Sequence, residues 1–150
     1  MQYTYKVTIT TEDKKDVIEI GRIEEGVDKE ERTVITGIKI NLDTADDNVS
    51  QKSNAVLAKL EIDGFIREQI KTQLVALFDW TCEEDEDKWY RTVEIEIRSS
   101  NNKAVRSFRF EKVFVVDYKE EYQQKDDMCT FKLTLTQKEN YLDCAKTFAF

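Results

Sequence analysis

Histidine is absent from this chain, and that absence narrows the available chemistry first. It is the side chain that ordinarily titrates nearest neutrality and the commonest transition-metal ligand, so general-base catalysis and the usual zinc sites lose their main instrument. Proline is absent too and glycine occurs only four times, which excludes a Gly-rich phosphate loop and a Pro-rich linker. The three cysteines, Cys82, Cys129 and Cys144, are odd in number and widely spaced. Free thiols in a reducing compartment are expected, not a disulfide framework. No apolar run approaches the roughly 18 residues of a spanning helix. The opening MQYTYKVTIT lacks a basic region followed by an apolar one, so no secretory signal is expected either. Synthesis in the cytoplasm follows as the expectation, and the sequon-like Asn48-Val49-Ser50 then has no meaning.

What remains is a 150-residue chain, 40% hydrophobic and 36% charged, with a net charge of −8. That length suits a single domain with one core. The acidic balance argues against nucleic acid or an anionic membrane as partner and suits solubility or a basic partner.

Period-2 alternation dominates. Tyr3, Tyr5, Val7 and Ile9 share one face of a first strand, and Ile18 and Ile20 mark a short second one. Val34, Ile38, Ile40 and Leu42 align in a third, with Gly37 as a candidate bulge. Residues 43–54 read as a polar loop, after which Val56, Ala58, Leu60 and Ile62 resume the pattern. The period changes once. Ile70, Leu74, Leu77 and Phe78 form the stripe of a helix starting between Gly64 and Glu68 and ending near Trp80 or Cys82. The acidic run EEDEDK, 83–88, opposes the dipole at a helix C-terminus and is placed outside it, as a solvated loop. Strands return at 90–98, 105–117 and 129–137. The tail ENYLDCAKTFAF ends on aromatic residues, Phe148 and Phe150, and is expected to dock on a surface. The sum is a mainly β fold, a small barrel or sandwich of about seven strands flanked by a single helix, in one domain over 1–150 with a short extension from about 139.

The stretch RTVEIEIRSSNNKAVRSFRFEKVFVVDY, 91–118, is the most informative. SSNNK supplies a turn. With Arg98 opposite Val105, Ile95 meets Phe108 and Val93 meets Phe110 on an apolar face. Glu94 then meets Arg109, and Glu96 meets Ser107, on a charged face that also carries Glu111. A one-residue slip would put Arg109 among apolar side chains, so the register is well specified. Val113, Phe114, Val115 and Val116 are apolar on both faces and call for cover on both, by core on one and by the helix or a neighbouring subunit on the other.

No catalytic constellation emerges. DTADDN, 43–48, gathers acids at Asp43, Asp46 and Asp47 but lacks the alternate spacing and central glycine of a calcium loop. Cys82 sits among acids that raise a thiol pKa. The aromatics Trp80, Trp89, Tyr90, Phe108, Phe110, Phe114, Tyr118 and Tyr122 lack the basic groove of a base-stacking platform, so core and interface packing is the better reading. No enzyme activity, cofactor or metal is expected.

The order of elements carries a resemblance. VLAKLEIDG, a helix ending in LVALFDW, the long hairpin above, the acidic link KEEYQQKDD and the strand FKLTLTQ follow one another. This resembles the tube proteins of contractile injection systems, those of phage tails and the haemolysin-coregulated protein of type VI secretion, over roughly residues 30–138. The resemblance implies a six-stranded barrel with a flanking helix, forming hexameric rings that stack into a hollow tube and meet sheath and baseplate proteins. It makes Glu94, Glu96, Arg109 and Glu111 a candidate lumen lining and the 43–54 loop a candidate contact between rings. Candidate subunit contacts are then Asp43, Asp46, Asp47, Phe114, Val116, Phe148 and Phe150. A related baseplate or tube-capping part stays open. So do a monomeric or dimeric acidic binding module and a hydrolase with a carboxylate site.

Overall fold

The computed structural model describes residues 3–21, 33–44, 56–99, 103–125, 128–138 and 145–149, with backbone only at 43–44, 56–57 and 145–149. The elements are β1 (Tyr3–Thr11), β2 (Val17–Ile20), β3 (Ile35–Thr44), β4 (Val56–Phe65), helix α1 (Lys71–Thr81), β5 (Arg91–Ser99), β6 (Ala104–Gln123), β7 (Met128–Gln137) and β8 (Ala145–Ala149). Short 3-10 turns precede the helix at Glu68–Ile70 and follow it at Glu86–Lys88. All pairings are antiparallel, in the order β2-β1-β5-β6-β7-β4-β3, with β8 on β6.

One face of this sheet carries the core. Val7, Ile9, Ile20, Leu60, Ile62, Val93, Ile95, Leu133 and Leu135 are fully buried, alternating with polar neighbours as the period-2 pattern demands. Each such side chain contributes about 1.5–3 kcal/mol by leaving water. The edge strands contribute to the same cluster: Ile18 and Ile20 from β2, Ile35 from β3. The sheet therefore curls on itself. It stops short of closure, since among the described residues no ladder joins β2 to β3.

The hairpin register holds: Val93 faces Phe110, Glu94 faces Arg109, Ile95 faces Phe108 and Glu96 faces Ser107. The turn end differs. A register shift sets Arg98 opposite Ala104, not Val105. Gly37 does lie at a register shift, between Ile35 and Gly37.

Strand β6 runs on through 118–123, so half of the expected acidic link is strand, with Tyr118, Glu120 and Tyr122 opposite Leu133, Phe131 and Cys129 of β7. It bends at Lys112, which adopts φ 60° where β5 pairing shifts between Arg91 and Val93. There its outer neighbour changes from β8, along 106–110, to β7, along 113–123. Buried Gln137 secures this corner by donating from Nε2 to the Glu111 carbonyl at 2.9 Å. The tail thus docks as a strand, continuing β7's line along β6.

Three corrections concern burial. The helix packs against β6 and β2 with Leu74, Leu77 and Trp80 buried, as is Ile70 of the preceding turn, and Phe78 points outward at 56% exposure. A 3.6-residue period continued from Leu77 lands near Trp80, and Phe78 falls off the stripe by a residue. Val116, expected to be covered on both sides, is 57% exposed. A shift in register between Val115 and Asp117 turns it out of the alternation. Leu42, aligned with the apolar side of β3, is likewise exposed.

Candidate functional site: a charged sheet face and an aromatic cleft

The outward faces of β2, β1, β5 and β6 form one polar surface. Glu19, Thr8, Glu94 and Arg109 are successive cross-strand neighbours, and so are Lys6, Glu96 and Ser107. The four residues singled out in the hairpin come together here. Arg109 Nη1 lies 2.7 Å from Glu111 Oε1, and its Nε lies 4.0 Å from Glu94 Oε1. Glu96 turns along its own strand to Arg98, with Oε1 2.9 Å from Nη2. Lys6 approaches Glu19 at 3.9 Å, and Lys112 pairs with Glu12. The acids on this face are therefore interleaved with bases, so it is closer to neutral than the chain as a whole. Such half-exposed pairs are worth at most about 1 kcal/mol each, so they tune the surface more than they hold the fold.

A second feature lies at the end of α1. The Trp80 indole Nε1–H donates to the Trp89 carbonyl at 2.8 Å, and the Trp89 Nε1–H donates to the Glu83 carbonyl at 2.6 Å. Both polar handles are thereby tied to the loop backbone. Phe114 meets Tyr90 edge-on at 5.9 Å. Together Trp80, Thr81, Glu83, Trp89, Phe114 and Val115 enclose a cleft of about 260 Å³. Two nearby rings already carry cations of the chain itself: Arg91 over Trp80 at 5.0 Å and Lys138 over Tyr90 at 4.9 Å. Burial lowers the Arg91 pKa, opposed by the charges of Asp16, Glu83 and Asp13. The acidic run is solvated as expected, with Asp85 accepting from the Asp87 amide to start the 3-10 turn. The sequence pattern marked these aromatics only as packing residues. Their convergence depends on the bulge in β6 and the turn after α1, which no period announces.

The remaining candidates fall apart in space or out of view. Asp43 and Phe148 are placed by backbone alone, opposite Leu57 and Ser107. Asp46, Asp47 and Phe150 lie outside the described residues. Among the described residues, no three Cys, Asp or Glu side chains gather as a metal site would need. No helix among them is long and apolar enough to cross a membrane.

No family model and no curated protein sequence matches this chain. Solved structures do. An Hcp protein superposes with a TM-score of 0.61 at 9% identity, over 100% of both chains. Hcp1 from the E. coli EAEC 042 pathovar gives 0.59 at 10% identity, over 98% of this chain and 99% of that one. A chain of the PVC sheath–tube complex, an extracellular contractile injection system, gives 0.55 at 11% identity, over 97% and 89%. At these identities the likeness is one of fold. The curled antiparallel sheet with a helix packed on it is the fold of the Hcp tube proteins and their contractile-injection-system counterparts.

Proposed function

We propose that this chain is a non-enzymatic structural subunit that forms rings and stacks them into the inner tube of a phage-tail-like contractile injection system. The observation that carries the proposal is the end-to-end likeness to an Hcp protein, which spans the whole of both chains. Features of the isolated subunit support it. Among the described residues the main sheet path ends at β2 and β3, each paired on one side only, and a neighbouring copy would satisfy the other. Val116 is an exposed apolar side chain that a neighbouring copy would cover. In this reading Glu94, Glu96, Arg109 and Glu111 line the lumen. Phe114, Val116, Phe148 and Phe150 meet adjacent subunits, and Asp43, Asp46 and Asp47 meet the next ring. Sheath and baseplate proteins are the further partners. The subunit is made in the cytoplasm and assembles there or within a phage-like particle.

Mass photometry and negative-stain imaging across a wide concentration range test this reading. Six-fold rings or stacked tubes are the expected result. A strict monomer at every concentration would shift the assignment to a part that needs other components. One comparison favours that second reading: chains of the anti-feeding prophage baseplate and of its tube-terminating cap match with TM-scores of 0.56 and 0.55. A baseplate or cap subunit would join rings only in their presence.

A further inference from the structure

We infer that the cleft between Trp89 and Phe114 is a docking site for an arginine side chain on a basic segment of a partner protein. This goes beyond the tube reading and does not depend on it. Three separate properties of the cleft select a cation. Its lining includes the aromatic residues Trp80, Trp89 and Phe114, and the same neighbourhood already holds Arg91 and Lys138 of this chain against Trp80 and Tyr90. Among the described residues, no cation of the chain faces Trp89 or Phe114. Glu83 lines the cleft, and the mostly exposed acidic run to Asp87 continues from there, with Lys88 beyond it paired to Asp85 at 3.9 Å. Its floor lies at the C-terminal end of α1, whose last turn contains no basic residue. The helix dipole therefore adds negative potential at the same point.

The arrangement works against the fold that carries it. Five acids after a helix C-terminus repel one another and the dipole, and a basic residue there would stabilise the helix. Such a local violation is expected where a partner supplies the missing charge. Size narrows the ligand: about 260 Å³ falls below the range for drug-sized molecules but admits one long side chain. Arginine is favoured over lysine because its planar guanidinium stacks on an indole and sheds water more readily.

The chain has two tryptophans, so its indole N–H spectrum reports on the cleft directly. The probe is a capped glycine pentapeptide with a central arginine, titrated into the isotopically labelled protein beside the same peptide carrying citrulline, the neutral isostere. The arginine peptide should shift the Trp89 indole signal with a salt-sensitive, saturable curve, and the citrulline peptide should not. Trp89→Ala should weaken binding by about tenfold or more. Because that change also removes the Trp89 to Glu83 bond, the exposed Glu84→Gln, Glu86→Gln double variant serves as a folded control, with affinity reduced and the spectrum otherwise intact. Equal responses to arginine and citrulline, or no indole response to arginine, would overturn the proposal. Self-association without peptide that perturbs the indoles would assign the cleft to a second copy instead, and equally refute it.

Discussion

At the scale of single residues, backbone conformation sets the sharpest constraint at Gly21, directly after β2. Its φ is 78°, and an added Cβ would press into the Tyr5 carbonyl oxygen and come within 3.0 Å of Ile35 Cδ1. Here the two edges of the sheet approach, so the glycine permits the curl that closes the core. Gly21→Ala should cost at least about 2–3 kcal/mol, combining left-handed strain with a backbone clash. Urea denaturation would read this as a lower midpoint at unchanged slope. A loss below about 0.5 kcal/mol would mean that the β2–β3 approach is looser than described.

The elements show where pattern reading succeeds and where it stops. The β5–β6 register was legible because Glu94, Glu96 and Arg109 had a single face on which to avoid the core, and the Val93–Phe110 and Ile95–Phe108 pairs occupy the other. Alternation is a strict physical requirement, so it reads through well. Bulges interrupt it, and they were mostly unreadable: Val116 is turned out by one, and Arg98 meets Ala104 because of another. The tail also resisted, since five residues of strand have too few periods to declare themselves, and only docking could be expected. On α1, Phe78 reads inward because it falls at i+8 from Ile70 and i+4 from Leu74, whereas Trp80 completes the buried face. Leu77→Ala should therefore cost about 2–5 kcal/mol and Phe78→Ser less than about 1 kcal/mol. Thermal melts of the two variants decide this, and equal losses would place Phe78 in the core after all.

The charged face belongs to the same scale. Glu94→Lys with Glu96→Lys would set like charges beside Arg109, Arg98 and Lys6, at about 0.2–1 kcal/mol per apposition. The folded state should survive, with circular dichroism unchanged and the melting temperature lowered by several degrees. Unfolding would instead make this face part of what holds the sheet together. With the fold intact, the reversed charges also ask whether the face lines a passage: rings of the double variant should form while their lumen gains affinity for polyanions.

For the molecule as a whole, charge governs association through two controls with opposite reach. Thirty-one acids against 23 bases leave −8, and without histidine that value hardly changes between pH 6 and 8. A histidine-run pH switch in that window is excluded. As pH falls toward the isoelectric point near 4.8, carboxylates take up protons and the mutual repulsion between copies disappears. Salt does the same at neutral pH by screening, with a Debye length of about 8 Å at 0.15 M. Ring or oligomer formation should therefore be flat across pH 6–8, rise below about pH 5.5, and rise at neutral pH as salt goes from about 0.02 to 0.5 M. Light scattering over that grid separates two kinds of contact. Association that strengthens with salt is apolar and edge-paired, as Val116 and the open β2 and β3 edges suggest. Association that weakens with salt would mean that copies meet through complementary charges, moving the interface from the sheet edges to the paired acids and bases of the β1–β5–β6 face.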